Sequence, residues 1–261
     1  MPLLDLRRQA AEAGLTLPAG WELDDHEKAA ALGTWRGRMV NEHISARVFA
    51  GLIPQMMAAE IDPEHQQKVA EFIQEELRHA VQCASVVHAV GGEARAELPP
   101  LPPVPDHPGV SPLESFVRNL LSICCLSETI AVALIGAERI ETGPPNFEEL
   151  LKRILADEVG HARFGWKLLD ELAPRIDDAM RTRLSDYLIT ALSHLEEHEL
   201  AHLPPTAPPS ARAMAIGVCD GNDARRLFFQ CVETVIVPGL EKRGLAGEAA
   251  WKAAQSLRTI H

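Results

Sequence analysis

Aromatic residues are scarce: they form 5% of the 261 residues, and tyrosine occurs once, at Tyr187. Runs of Val, Ile, Thr and aromatics alternating with polar residues are few as well, so the signature of β-strands is nearly missing and a sandwich or barrel is excluded. Positive charge is in deficit, with 25 Lys and Arg against 37 Asp and Glu and a formal charge of −12. No basic stripe is left to follow a phosphate backbone, so nucleic acid is not an expected partner. No apolar run approaches the roughly 20 residues of a bilayer span, so no membrane is expected either. Cys83, Cys124, Cys125, Cys219 and Cys231 are odd in number and lie mostly in apolar helical stretches. That suits reduced thiols filling a core better than a disulfide framework. The opening MPLLDLRRQAAEAG mixes acid and base without an apolar h-region, so the expectation is a cytoplasmic protein that is not secreted.

What is present is Ala, Leu, Glu and Arg at helical spacing, in a chain long enough to bury a core without staples. After an N-terminal extension over 1–24, expected to be loose, a first helix runs from about Asp25 to Ala59, with Trp35, Met39, Glu42, Ala46, Phe49 and Ile53 on one stripe and Pro54 kinking its end. A second opens at Asp62-Pro63 and stops near Gly91-Gly92, its stripe being Val69, Phe72, Glu76, His79, Cys83 and Val87. The stretch LPPLPPVPDHPGVSP cannot be helical and reads as an extended connection. A third helix starts at Ser111-Pro112, with Glu114 completing a capping box, carries Val117, Leu121, Cys124, Glu128, Val132 and Ile135, and ends around Thr142-Gly143. Asn146 caps a fourth, with Leu151, Ile154, Glu158, His161, Gly165 and Leu168 inward, before Pro174 closes it. Further helices follow over about 177–202, 223–242 and 248–257, the first two separated by LPPTAPPS. The expected fold is all-α: a four-helix bundle over 25–174 with the helices of 175–261 packed on it, one domain overall.

In each of the first four helices a glutamate takes a stripe position otherwise apolar, and a buried carboxylate without compensation costs several kcal/mol. On the second and fourth helices a histidine follows three residues later on the same face, and carboxylate with imidazole suits a divalent transition metal. Glu-x-x-His occurs three times, at Glu76/His79, Glu158/His161 and Glu199/His202. Depth separates the first two from the third. Glu42 stands about 17 residues before the end of its helix and Glu76 about 13 after the start of the next, and Glu128 and Glu158 stand about 13 and 12 from theirs, so antiparallel pairing levels all four. The proline-rich connection of roughly 20 residues can extend about 60 Å, enough to pass a helix of about 38 Å and join the two pairs.

One glutamate from each of two helices and Glu-x-x-His from each of two others resembles the ferritin-like superfamily of di-iron carboxylate proteins, and EELRHA and ADEVGHARFGW look like its metal-binding helices. The resemblance covers about Asp25 to Pro174. It implies Glu42, Glu76 and His79 around one iron and Glu128, Glu158 and His161 around the other, some carboxylates bridging both. It also implies Asp157 holding His79 and Glu75 holding His161 through the far ring nitrogen. In the arylamine N-oxygenases of the superfamily a histidine stands four residues before the last motif glutamate. Ile154 occupies that place here, so their activity is not carried over.

The resemblance leads us to expect a non-heme di-iron oxidase or oxygenase acting with dioxygen on a small organic molecule, its electron donor unidentified, with Met39, Ala46, Phe49, Phe72, Val132 and Gly165 shaping the pocket. The spacing resembles aldehyde-deformylating oxygenases more than compact ferritins, a likeness of fold that names no substrate. Alternatives are a ferroxidase or iron-handling role like that of bacterioferritin and rubrerythrin, a di-manganese catalase-like site, since manganese suits the same donors, and a non-enzymatic helical interaction protein. A homodimer is the assembly considered: a monomer or dimer would favour the oxidase or oxygenase, a cage of many subunits the iron-handling role. His43 points about 100° from Glu42 and is not counted a ligand. His194, His198 and His202 read as a surface stripe, Cys124 and Cys125 as core filler. Tyr187, outside the four helices, disfavours a tyrosyl-radical function resembling ribonucleotide reductase small subunits.

Overall fold

Capping chemistry sets where the long helices begin. Asp24 accepts from the Glu27 backbone while the Glu27 carboxylate accepts from the Asp24 backbone, and this closed box starts helix α2 (Asp25–Ala58). Asp62 accepts from the Glu64 backbone, and Pro63 supplies the first residue of α3 (Pro63–Ala89), where a missing N–H costs nothing. The structure, a computed structural model, describes residues 2–141, 143–203, 205 and 207–258, without the side chains of 139–141 and 258. The expected end of the third helix at Thr142 and parts of the LPPTAPPS break fall outside these residues. The protein is all-α in class, with 74% helix and 2% strand.

The chain folds as two compact units that alternate along it: Met1–Val104, Ala137–Asp157 and Ala207–Asp220 form the first, and Pro105–Gly136, Glu158–Thr206 and Gly221–His261 the second. Residues 25–174 thus contribute to both.

In the first unit α2 and α3 pack along their lengths. From α2 they bury Ala31, Trp35, Met39, Ala46, Phe49, Leu52 and Met56. Leu52 takes the place expected of Ile53, because after Phe49 the buried stripe advances by three residues. Pro54 lies within α2, which continues to Ala58. The N-terminus is not loose: β1 (Leu3–Asp5) pairs antiparallel with β2 (Arg95–Glu97), Leu4 opposite Ala96, and helix α1 (Arg7–Glu12) packs on α3. Three-residue strands 90 positions apart leave no periodic trace in the sequence. Part of the proline-rich connection is tied to α2 by Arg47, which donates to the carbonyls of Leu101 and Pro102 at 3.1 and 3.0 Å, donors that neighbouring prolines cannot supply. Trp35 donates to the Ile216 carbonyl at 2.8 Å, beyond the short helix α8 (Ala211–Met214). Gly217, at φ +84°, lies where a Cβ would come within 2.7 Å of the Trp35 ring.

In the second unit α4 (Pro112–Leu120) runs into a π-helical stretch, Leu121–Ser127, and then into α5 (Glu128–Glu141). Helix α6 (Pro145–Leu172) passes from the first unit to the second. Asn146 does not cap it: Asn146 is already helical, and its amide donates to the Thr16 carbonyl. Helix α7 (Asp178–His202), capped by Asp177, packs against α4, the π-helical stretch and α11 (Gly247–Arg258). Between them run α9 (Gly221–Cys231), a second π-helical stretch (Val232–Ile236) and α10 (Val237–Glu241). Pro112–Glu138 is a helical stretch long and apolar enough, by length and composition, to cross a membrane; its most apolar 18-residue window has a mean hydropathy of 2.1, and 44% of that window is buried. Small polar residues and Glu128 interrupt it, so no uninterrupted apolar run of that length stands out in the sequence.

Glu114 corrects a second capping expectation. Ser111 accepts from the Glu114 backbone at 3.2 Å, but the Glu114 carboxylate, fully buried, is held by Arg118 at 2.6 Å and Arg183 at 2.7 Å. Burial alone raises its pKa, yet the hydrogen bonds from Arg183 and Arg118 outweigh that and hold the carboxyl below its ordinary 4.5. A folded-state value below the unfolded one means that the contribution is complete above about pH 4.5 and fades as pH falls through the lowered value. Glu114→Gln is expected to cost about 2 kcal/mol at pH 7 in urea denaturation. The difference from the parent protein should shrink as the pH of the melts is lowered past 4.5.

Candidate metal centre

Helix α3 presents Glu76 and His79 one turn apart, 1% and 0% exposed. Glu42 comes from α2, its side chain 13% exposed and Oε2 3.5 Å from Nδ1 of His79. The far nitrogen of that ring, Nε2, lies 3.0 Å from Oδ2 of Asp157, which also accepts from Arg78 at 3.0 Å. Burial raises the Asp157 pKa, but hydrogen bonds from His79 and Arg78 prevail and hold it below the ordinary carboxylate value. An ionised Asp157 only accepts, so Nε2 carries the ring proton and Nδ1 keeps its lone pair toward Glu42. Ligand atoms of Glu42, Glu76 and His79 lie within 4.8 Å of one another.

The second unit repeats the pattern. Glu128 and Glu158 are 6% and 3% exposed and His161 is fully buried. His161 Nδ1 stands 3.5 Å from Oε2 of Glu128 and 3.3 Å from Oε2 of Glu158, and ligand atoms of the three residues lie within 4.8 Å of one another. These buried glutamate and histidine groups could hold a metal ion. Donors each about 2.1 Å from one ion are at most about 4.2 Å apart, a small contraction from this spacing. Oxygen and imidazole donors together suit divalent iron, manganese or zinc. Two other carboxylates withdrawn from water are matched differently, Glu114 by Arg118 and Arg183 and Glu138 by Arg38. Glu42, Glu128 and Glu158 face imidazole nitrogens.

What surrounds Glu128 could not be read from spacing. The π-helical stretch ends at Glu128, and hydroxyls satisfy its carbonyls: Ser127 donates to Ser122 O at 3.1 Å and Thr129 to Cys125 O at 2.7 Å. Trp166 donates to the Thr129 hydroxyl at 3.0 Å, binding this turn to α6. Such wide turns recur at functional sites because they re-aim one side chain within a helix. Gly165 is among the residues expected to shape the pocket. It lets α6 approach the π-helical stretch instead, since a Cβ there would lie 2.5 Å from Cys124 Cβ and 2.8 Å from its backbone carbon. Met39, Phe49 and Phe72 are fully buried, the two phenylalanines edge to face at 5.5 Å, while Val132 is half-buried.

Of the other residues named above, Glu75 is half-buried on α3. His43 is half-buried and in neither ligand group. Cys124 and Cys125 are fully buried, and burial pushes both thiols up. Tyr187 shares a hydrogen bond of 2.7 Å with Ser122. Arg78, Thr129 and Trp166 were missed. An exposed arginine, a helical threonine and a tryptophan carry no spacing signal, and only contact with Asp157 or the π-helical turn marks them.

The chain matches no protein-family model and no curated protein.

Asp157→Asn should lower affinity for Fe(II) or Zn(II) by 10- to 100-fold in chelator competition, with the circular dichroism spectrum unchanged. Gly165→Ala should destabilise the protein by about 1 to 3 kcal/mol in denaturant melts. Gly160→Ala, where a Cβ meets nothing within 4 Å, should stabilise it by about 0.5 to 1 kcal/mol.

Proposed function

We propose that the two groups hold one iron ion each, and that the protein is a di-iron oxidoreductase that turns dioxygen on a small organic substrate. The observation that carries this reading is the duplication itself: twice, a buried Glu-x-x-His and a glutamate from another helix are grouped with the imidazole Nδ1 turned toward carboxylate. In each group two carboxylates balance the charge of one divalent ion, so each filled group would be neutral in an interior that penalises net charge. Asp157 and Glu158 are consecutive on α6, so one helical turn serves both groups, the first residue orienting His79 and the second offering a ligand. Ferrous ions bound there would supply the electrons for dioxygen chemistry.

The protein's own part is to arrange and exclude. Asp157 keeps the His79 proton on Nε2, and Arg78 offsets the charge of Asp157. The hydroxyls of Ser127 and Thr129 hold the turn that delivers Glu128. Burial of Glu76, Glu158 and both histidines keeps bulk water from the ligand atoms. The helical residues after Pro174 exceed what iron handling requires and favour an enzyme with an organic substrate.

Anaerobic titration with Fe(II) should end near two equivalents per chain, and Glu158→Ala should bring it to one or fewer. Rapid mixing of the ferrous protein with oxygenated buffer should then show oxidation that accelerates at least tenfold with a true substrate. Failure to bind iron would end the metal assignment. Rapid oxidation to a ferric core independent of any organic molecule would assign iron handling, and a preference for manganese with peroxide disproportionation would assign the catalase-like site.

A further inference from the structure

The sequence carries a third Glu-x-x-His match that neither group absorbs, and the structure puts its histidine in a different setting. His194, His198 and His202 stand at successive turns of α7, all exposed on one face. The His194 and His198 rings are nearly parallel with centroids 6.2 Å apart, while those of His198 and His202 are tilted by 52° with centroids only 4.6 Å apart. We infer that His198 and His202 form a separate, solvent-exposed site for one divalent ion of the copper, nickel or zinc class.

Three features support it. Nδ1 of His202 lies 2.8 Å from the His198 carbonyl oxygen, which can only accept, so Nδ1 carries the proton and Nε2 presents its lone pair away from the backbone. Imidazole nitrogens one helical turn apart can share an ion at about 2.0 to 2.1 Å each, and a centroid spacing of 4.6 Å needs only small ring rotations to reach that geometry. The last turn of α7 is also held: Arg225 donates to the carbonyls of Leu200 and Leu203 at 3.0 and 2.7 Å, groups that a helix end otherwise leaves to water. His202 is therefore presented by an anchored turn.

The donor set fixes the class of ion. Glu199 lies between the two histidines in sequence and its charge is felt by His202, but no group of three ligand atoms forms here among the described residues, so the proposed ion would take its other ligands from water. Two neutral nitrogens without carboxylate favour copper, nickel and zinc over ferrous iron, the reverse of the oxygen-rich buried groups. The pair at 6.2 Å, His194 with His198, is too open to compete.

The site is tested by position, so that metal in the buried groups does not confuse the reading. Chelator-treated full-length protein is acylated with diethyl pyrocarbonate, with and without zinc chloride, and labelling of each histidine is read by peptide mass spectrometry. Zinc should slow labelling of His198 and His202 at least fivefold and leave His194 within twofold. In His202→Ala the protection of His198 should vanish. Equal labelling of His198 and His202 with and without zinc would overturn the proposal, as would protection of His198 that survives His202→Ala or that is shared with His194.

Discussion

Carboxylates taken out of water beside imidazole nitrogens are the constraint around which this protein is built. Glu76, Glu128 and Glu158 are at most 6% exposed, and each such ion costs several kcal/mol unless charge or hydrogen bonds compensate it. The same chain shows the ordinary solution at Glu114, where two guanidinium groups close on one carboxylate. Where imidazoles replace arginines, the residues form donor sets fit for a metal ion. Stability and chemistry are coupled there, because whatever neutralises those carboxylates also holds the helices that present them.

The helices are shaped to the ligands rather than the reverse. A regular α-helix through 121–128 would aim Glu128 elsewhere. The π-helical stretch changes that aim, and the Ser127 and Thr129 hydroxyls donate to two of its carbonyls. Gly165 removes the one Cβ that would hold α6 away from this stretch, and Trp166 ties the two together through Thr129. On the other group, Asp157 selects the tautomer of His79 and is itself held by Arg78. None of these residues needs to touch a metal ion, yet each sets the position or protonation of one that could.

Burial also separates two kinds of histidine. His79 and His161 are fully buried and face carboxylates, while the histidines of α7 are exposed and face one another. The same Glu-x-x-His spacing at Glu199/His202 thus leads to a different chemistry, because spacing places side chains on a helical face but not that face relative to water.

The sequence by itself determined what depends on neighbours along the chain. It showed the predominance of helix, the start of α2 near Asp25 and of α3 at Asp62-Pro63, and the shared face of Glu76 with His79 and of Glu158 with His161, since caps and the 3.6-residue period act over a few covalently linked residues. Tertiary structure decided the rest: the pairing of Leu3–Asp5 with Arg95–Glu97, the turn of Glu114 from a cap to Arg183, the choice of Leu52 over Ile53, the wide turn before Glu128 and the division into two units. Each of these turns on a partner that the local sequence does not contain, Ala96 for Leu4, Arg183 for Glu114, Trp166 for Thr129, and an energy that belongs to a pair is invisible until the fold brings the pair together.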